Sequence, residues 1–296
     1  MIDGRRLLKR LEPVLMEALE DCGRLSEERG ETAYLVGGRV RDLIIERESD
    51  DVDVVVVGDG MALAQTLARA RGGELTHYHT FQTARVELPD AGRIDVATAR
   101  SEEYSRPGDL PVVSQGRLED DLARRDFTIN TLAVALNPGD LGRLIDPYDG
   151  TADIQRGWIR LLHEQSFVDD PTRMLRALRF AVRLGYRLEE RTDRALQEGV
   201  GGHYLDSISG HRMRREVQKL FQEEPLEGPL ALADRELLAA LHPDLEARRE
   251  LLAALLDEQP APASVAPAEA ELWTLVLAAL ALALDPKPRW QLVETT

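Results

Sequence analysis

The segment ESDDVDVVVVGDG, which begins at residue 48, contains a run of four valines directly preceded by acidic residues. The valine run predicts a buried strand. Unbroken β-branched runs are typical of strands covered in a parallel or mixed sheet. Asp51 and Asp53 are two residues apart, so on such a strand their carboxylates point to the same side. Two like charges held side by side repel unless a cation lies between them. Taken alone, this segment is also compatible with a solvated acidic entry to a strand.

The composition is that of a globular protein with room for about two domains. The chain has 296 residues, of which 43% are hydrophobic and 30% charged. A single cysteine, Cys22, excludes an intramolecular disulfide and suits a reducing cytoplasm. Residues 1–20 show no secretory signal core, and the longest apolar run, Leu272–Leu284, is shorter than the ~20 residues that a bilayer requires. We expect a cytoplasmic protein without a membrane partner.

Strand and helix patterns alternate up to about residue 162 and are helical thereafter, which predicts an α+β fold with a mixed-sheet head and an all-α continuation. In the first part the predicted elements include a helix over Arg5–Glu20, a strand ending at Gly37, a helix over Val40–Glu46, the strand Val52–Val57, a helix ending at Gly72, strands at ELTHYH, TARVEL and RIDVATA, a polar loop over Glu102–Gly116 and a helix over LEDDLARRDFTIN. In the second part they are helices ending at Gly185 and over Glu189–Gly199, Ser209–Glu223, Pro229–Leu241 and Leu245–Asp257, a linker at EQPAPASVAPAEA and a buried helix over Leu272–Leu284.

Two glycines, Gly37 and Gly38, lie between a predicted strand and helix. Such a turn allows close approach of the backbone, and a helix N-terminus offers free N–H groups to an anion. Arg39 and Arg41 add positive charge there. An ordinary strand–helix turn explains a lone glycine pair equally well.

The acidic pair and the glycine turn together are what a metal–nucleotide site requires, because Mg²⁺ prefers carboxylates, phosphate oxygens and water. With two cations about 4 Å apart, one activates an attacking hydroxyl and the other stabilises the leaving group. Asp95, on a later predicted strand, is a candidate third carboxylate; a solvent-facing strand aspartate is the alternative.

The segment DLARRDFTIN supplies further groups suited to a nucleotide. Arg125 can hold a triphosphate bidentately, and Asp126 or Asn130 can contact ribose hydroxyls. A surface ion pair is the alternative.

Asp170 and Arg173 lie three apart at the start of a predicted helix, so they share one face. They offer an acceptor beside donors, which matches the base edges of cytosine and adenine and leaves unpaired groups against uracil and guanine. A helix cap at Asp170 is the structural alternative.

Basic residues are locally dense on this helix and a later one, although the formal net charge of −16 argues against nucleic acid for the chain as a whole. Such density is typical of a surface that binds a nucleic-acid backbone, and a solvated helix face is the competing interpretation. The residues are Arg173, Arg176, Arg179, Arg183, Arg187, Arg212, Arg214, Arg215 and Lys219.

Taken in order, these segments resemble the bacterial tRNA nucleotidyltransferase and poly(A) polymerase family, the class II branch of the polymerase-β-like nucleotidyltransferases. The resemblance covers about residues 33–221 and rests on LVGGRVRDLII with DDVDVVV, IDVATARSEEY, DLARRDFTINTLAV, LIDPYDGTADIQRGWIRLL, DDPTRMLRALRFAVRLGY and SISGHRMRREVQKLF.

The resemblance implies a head over 1–162, a helical neck over 163–225 and a helical body over 226–296. It also implies roles for individual residues. Asp51 and Asp53 are the expected catalytic ligands of two Mg²⁺ ions, and nucleotide contacts are expected from Gly37, Gly38, Arg41, Arg125, Asp126, Asp170 and Arg173. The residue patterns themselves add Asp95 as a candidate metal ligand, Asn130, Arg176 and Arg179 as candidate nucleotide contacts, and Arg183, Arg187, Arg212, Arg214, Arg215 and Lys219 as candidate RNA contacts. At position 169 this chain has Asp where the family more often has Glu.

The expected activity is template-independent addition of CMP, AMP or both to the 3′ end of tRNA, from CTP and ATP and with release of pyrophosphate. The region 102–116, which is similar to one shortened in enzymes that add only CC, favours CCA or A addition. A poly(A) polymerase and a catalytically inactive RNA-binding module are the alternatives.

Overall fold

A computed structural model describes residues 2–78, 83–104, 106, 108–224 and 227–238. The described residues divide into two compact units, one with those up to 103 and those of 111–156, and the other with those of 104–110 and those from 157 to 238. The predicted division at 162 and 225 stays a prediction, and most of the predicted body lies outside the described residues.

The first unit contains nine strands and six α-helices among the described residues. The strands are β1 (Thr32–Val36), β2 (Asp53–Val57), β3 (Glu74–Tyr78), β4 (Thr83–Leu88), β5 (Gly92–Thr98), β6 (Arg100–Glu103), β7 (Val112–Gln115), β8 (Ala133–Ala135) and β9 (Leu144–Ile145). The helices are α1 (Gly4–Leu8), α2 (Pro13–Glu28), α3 (Gly38–Ile44), α4 (Gly60–Arg71), α5 (Leu118–Ala123) and α6 (Gly150–Arg156).

Seven of these strands form one mixed sheet with the order β3-β4-β5-β2-β1-β8-β9. β2 and β5 are parallel, and the other neighbouring pairs are antiparallel. The α+β fold with a mixed sheet is therefore confirmed.

The valine run is the central strand β2, and its three middle residues are buried as predicted. Val55 packs with Tyr34 of β1 and with Leu118 and Leu122 of α5 in one apolar cluster. Fully burying a Val or Leu side chain contributes about 1.5–3 kcal/mol, so this cluster fixes α5 against the sheet. Asp53 precedes Val55 by two residues and therefore projects from the face that α5 covers.

Three element predictions in the first unit are wrong. The predicted helix over Arg5–Glu20 is two helices, because Pro13 fixes its own backbone angle and begins α2. The predicted polar loop over Glu102–Gly116 contains the antiparallel pair β6–β7. Most residues of these two strands are exposed or half-buried, so the usual apolar alternation is missing from the sequence.

The predicted helix over LEDDLARRDFTIN is also too long, because α5 ends at Ala123 and a 3₁₀ turn follows at Thr128–Asn130. The Asp126 carboxylate accepts hydrogen bonds from the backbone N–H of Phe127 at 2.8 Å and from Asn130 Nδ2 at 2.9 Å. Short polar side chains that bind the local backbone in this way compete with helix formation.

The second unit is mainly helical. Its described elements are β10 (Trp158–Ile159), α7 (Ser166–Asp169), α8 (Thr172–Leu184), β11 (Arg187–Leu188), α9 (Glu190–Gly201), α10 (Gly210–Glu223) and α11 (Glu227–Asp234). α8 ends at Gly185 with a left-handed φ of 64°, as predicted, and it packs against α10 and α11.

The last predicted elements are only partly described. The helix predicted over Pro229–Leu241 begins earlier, at Glu227, and ends at Asp234. The predicted helix over Leu245–Asp257, the linker and the apolar run Leu272–Leu284 lie outside the described residues. Within the described ranges, the helices are too short or too polar to cross a membrane.

Candidate active site

Three carboxylates meet at one end of the central strands of the first unit. Asp53 begins β2, and its register partner on the parallel strand β5 is Asp95. Asp51 stands two residues before Asp53, and carboxylate oxygens of the three residues lie within 4.8 Å of one another. The predicted Asp51–Asp53 pair is therefore joined by Asp95 in space.

Burial raises the pKa of the Asp53 carboxyl to about 6, and the charge of Asp51 adds to the increase. Arg125 and Arg93 act in the opposite direction and offset only part of it. A divalent cation among these oxygens would relieve the repulsion and would find the ligand type that Mg²⁺ prefers. The donor set and its electrostatics thus suit a divalent cation.

Arginines already contact two of the three acids. Arg85 binds Asp95 through two hydrogen bonds, of 2.8 and 3.1 Å, from the neighbouring strand β4. Arg93 lies 3.2 Å from Asp51 in an ion pair whose side chains are 41% and 64% exposed. Exposed ion pairs of this kind are weak, whereas a bidentate pair is stronger. Asp51 and Asp53 are therefore the more available ligands, and a ligand role for Asp95 stays a prediction.

The glycine turn predicted at residues 37–38 adopts a conformation that favours glycine. Gly37 has a φ of 71°, and a Cβ atom there would lie 2.6 Å from a guanidinium nitrogen of Arg125. Gly38 begins α3. The turn thus brings Arg125, far along the chain, against the backbone that follows β1.

Arg41 lies inside the first unit rather than at its surface, with 2% of the residue exposed. Its guanidinium pairs with Asp42 at 2.8 Å and donates a hydrogen bond of 2.6 Å to Asn130 Oδ1. Asn130 in turn donates to Asp126. Three predicted nucleotide contacts, Arg41, Asn130 and Asp126, therefore form one buried chain of hydrogen bonds, and their contact with a nucleotide stays a prediction.

Asp121 orients Arg125 and was not among the residues predicted from the sequence. It is fully buried and accepts hydrogen bonds from Arg124 at 2.6 Å and Arg125 at 2.9 Å. Burial alone would raise the pKa of the Asp121 carboxyl, but the two arginines hold it below its usual value. The spacing of Asp121 to Arg124 and Arg125, three and four residues, was the signal that could have shown the contact.

In the second unit, Asp170 and Arg173 lie at the start of α8 with defined partners. Asp170 Oδ1 accepts hydrogen bonds from the backbone N–H of Thr172 at 3.0 Å and from its hydroxyl at 2.6 Å, while Pro171 is the residue that directly precedes α8. Arg173 donates to the hydroxyl of the buried Ser166 at 2.6 Å. Neither partner was predicted.

The basic side chains of α8 are largely neutralised within the second unit. Arg179 pairs with Glu223 of α10 at 2.7 Å, and Arg183 contacts the same carboxylate at 3.4 Å. Arg176 lies 3.9 Å from Glu216. The dense basic pattern therefore also serves helix packing, which the sequence density alone did not show.

The other predicted RNA contacts are spread over β11 and α10. Arg187 and Arg215 are exposed, and Arg212 and Arg214 are half-buried. Burial lowers the pKa of the Lys219 ammonium. RNA contacts by Arg183, Arg187, Arg212, Arg214, Arg215 and Lys219 stay predictions.

The mixed sheet, the glycine turn and the facing carboxylates define the nucleotidyltransferase class of fold. Residues 33–160 match the family described as the poly A polymerase head domain. The chain is 43% identical over 228 residues to the A-adding tRNA nucleotidyltransferase of Geobacter sulfurreducens, which covers 77% of this chain and 26% of that protein. It is 32% identical over 287 residues to the CCA-adding enzyme of Lactobacillus delbrueckii subsp. bulgaricus, covering 93% of this chain and 67% of that protein.

Solved structures agree with these relatives. An apo form of a CCA-adding enzyme has a TM-score of 0.82 and 34% identity, with 98% of this chain and 69% of that chain covered. A tRNA nucleotidyltransferase complexed with a primer tRNA and an incoming ATP analog has a TM-score of 0.74 and 32% identity, with 93% and 79% covered. The chain belongs to the class II tRNA nucleotidyltransferase family. It spans about a quarter of the length of the G. sulfurreducens protein.

Proposed function

We propose that the chain transfers CMP, AMP or both to the 3′ end of tRNA, without a nucleic-acid template and with release of pyrophosphate. The observation that carries the proposal is the cluster of Asp51, Asp53 and Asp95 on neighbouring strands, beside the glycine turn. Relatives named for A addition and for CCA addition support the tRNA substrate. A related structure that contains a primer tRNA and an ATP analog supports both substrates.

In the proposed reaction the terminal 3′-hydroxyl loses its proton to solvent and its oxygen bonds to the α-phosphorus of the nucleotide. The bond from that phosphorus to the bridging oxygen breaks, and pyrophosphate leaves with its electron pair. Asp51 and Asp53 would hold two Mg²⁺ ions. When bound, such ions lower the pKa of the attacking hydroxyl and stabilise the charge on the leaving group. Their oxygen ligands are present, and a cation between them would relieve the repulsion between Asp51 and Asp53.

The remaining residues of the first unit would position the triphosphate. Gly37 lets the backbone approach closely because a side chain there would collide with Arg125. Arg125, held by Asp121, presents a planar guanidinium suited to phosphate oxygens. Asp126 and Asn130 are the proposed ribose contacts.

Base selection is assigned to Asp170 and Arg173. The carboxylate would accept from the exocyclic amino group of cytosine or adenine, and the guanidinium would donate to the adjacent ring nitrogen. Uracil and guanine present a carbonyl and a ring N–H instead, so the Asp170 acceptor and the Arg173 donor would be left unpaired. Arg176 and Arg179 extend this proposed nucleotide surface along α8.

A cytoplasmic location is part of the proposal. It agrees with the buried, unpaired thiol of Cys22, the pKa of which burial raises to about 12. Such a thiol is protonated and unreactive in a reducing compartment.

The test is incorporation of single labelled nucleotides by the purified chain, with tRNAs that end before CCA, before the final A, or after CCA. Products are sized on a denaturing gel. The proposal predicts one to three added nucleotides, no addition to complete tRNA, and no product from the matched variant D53N. Product from UTP or GTP at the rate seen with CTP and ATP would contradict the base-reading role.

A poly(A) polymerase is the second candidate, because the matched head-domain family carries that description. It predicts a long ladder with ATP on any RNA 3′ end, including complete tRNA. A catalytically inactive RNA-binding module predicts RNA retention without incorporation at any Mg²⁺ concentration.

A further inference from the structure

Arg212 of α10 joins two separate parts of the second unit. One guanidinium nitrogen donates a hydrogen bond of 2.7 Å to the backbone carbonyl of Gly108, and another donates one of 2.8 Å to Asp170 Oδ1. The side chain is 23% exposed. Because two of its guanidinium nitrogens already donate hydrogen bonds within the protein, Arg212 is less able to bind an RNA phosphate than its position on a basic helix suggests.

The hydrogen bonds to Asp170 all use the same one of its two carboxylate oxygens. Within the described residues, the donors that reach this carboxylate are the N–H and hydroxyl of Thr172 and the guanidinium of Arg212, and all of them end on Oδ1. The other oxygen, Oδ2, is thereby fixed in direction. A carboxylate that keeps one oriented oxygen can accept from a base amino group without first reorganising.

Gly108 is held tightly on the other side of Arg212. Its N–H donates to the carbonyl of Asp169 at 3.3 Å, next to Asp170. Its φ is 75°, and a Cβ atom there would lie 2.5 Å from Ser207 Oγ and 3.0 Å from the Ser207 carbonyl oxygen. Glycine is therefore required at this position, and the backbone at Gly108 is bound both to the residue before Asp170 and to the arginine that fixes Asp170.

We propose that Arg212 is a positioning residue that determines nucleotide specificity: by joining Gly108 to Asp170, it fixes the oxygen that reads the amino group of the incoming base. This assignment rests on the proposed function and replaces the predicted contact of Arg212 with RNA. Because a hydrogen bond to a charged group is among the stronger ones, losing it should relax base selection on the order of ten- to a hundredfold.

The experiment compares R212M and R212K with the wild type. The matched control is R194M, since Arg194 is a 60% exposed arginine of α9 in an ordinary surface ion pair with Glu190. The ratio of kcat/KM for ATP or CTP to that for UTP and GTP is measured on tRNA lacking its terminus. The tRNA Kd is measured over a range of salt concentrations, and hydrogen exchange is followed at the amides of Gly108 and Thr172.

The proposal predicts that R212M lowers the selectivity ratio about ten- to a hundredfold while the tRNA Kd and its salt dependence stay at the wild-type values. R212K, which keeps the charge, should recover part of the ratio, and R194M should match the wild type. An unchanged ratio in R212M would overturn the proposal. So would a weaker tRNA Kd with a salt slope reduced by about one, since that pattern marks a phosphate contact.

Two further results separate this inference from the proposed function. If the wild type incorporates no nucleotide, the proposed function fails, and hydrogen exchange alone tests the link between Arg212 and Gly108. Faster exchange at the Gly108 amide in R212M supports this link, and unchanged exchange refutes it. If R212M does not fold, G108A tests the other end of the link. It should lower the selectivity ratio in the same direction, and an unchanged ratio in folded G108A counts against the proposal.

Discussion

Replacing Asp53 by asparagine should stabilise the metal-free protein at neutral pH. Burial and the charge of Asp51 raise the pKa of Asp53 from an ordinary 3.8 to about 6. The folded state therefore binds this proton more tightly than the unfolded chain does. The contribution of the protonated group to stability is fully present below the unfolded pKa and is lost as the pH rises through about 6. Asparagine keeps the shape and removes the charge.

The difference between the two pKa values sets the size of the effect. One pKa step is 1.36 kcal/mol, so the full difference corresponds to about 3 kcal/mol, reached above about pH 6. At pH 5 the stabilisation by the protonated group has been lost only over the interval from pH 3.8 to pH 5, which corresponds to about 1.6 kcal/mol. D53N should thus gain up to about 3 kcal/mol in unfolding free energy at pH 8 and about half as much at pH 5.

The assay is urea unfolding at both pH values in the presence of EDTA, with D50N as the control. Asp50 is an exposed neighbour of the cluster, so its substitution should change stability by about 0.5 kcal/mol or less at either pH. Adding Mg²⁺ should then stabilise the wild type and leave D53N unchanged. A D53N protein that is less stable than the wild type at pH 8, or whose gain is the same at both pH values, would refute the reasoning.

Three further substitutions probe separate regions of the chain. R173A should reduce discrimination of ATP and CTP against UTP and GTP about tenfold or more in single-nucleotide incorporation assays, and retained discrimination would remove Arg173 from base selection. R41M should lower the unfolding free energy by about 3–5 kcal/mol in urea titrations, because it leaves the buried Asp42 carboxylate without its arginine and removes the hydrogen bond to Asn130. A change below about 1 kcal/mol would contradict a stabilising role for the Arg41–Asp42 ion pair. G37A should reduce nucleotide incorporation about tenfold, because alanine is strained at this positive φ and its Cβ would collide with Arg125. Wild-type turnover would show that the turn accommodates a side chain.

Features that depend on neighbouring residues were predictable from the sequence. The valine run is the buried strand β2, and Gly72 and Gly185 end their helices with left-handed backbone angles. Patterns of this kind act over a few residues, where propensity and side-chain period decide the outcome. The order of motifs also pointed to the family, which the relatives confirm.

Local patterns failed where a contact partner lies elsewhere in the chain. β6 and β7 carry no apolar alternation, and each is defined by its pairing with the other. The arginine pattern of α8 predicted a basic surface, yet Arg179 is only 5% exposed and pairs with Glu223 of α10. A charge pattern on one helix does not specify which acid another helix brings to it.

By itself, the sequence determined which residue types were available: an acidic pair two residues apart on a strand, a glycine turn, and an aspartate and an arginine on one helical face. Only the tertiary structure decided that Asp95 stands opposite Asp53, that Arg85 holds Asp95, and that Arg212 joins Gly108 to Asp170. The physical reason is that strand register and helix packing are set by burial summed over the whole core, whereas spacing along the chain reports only neighbours within a few residues.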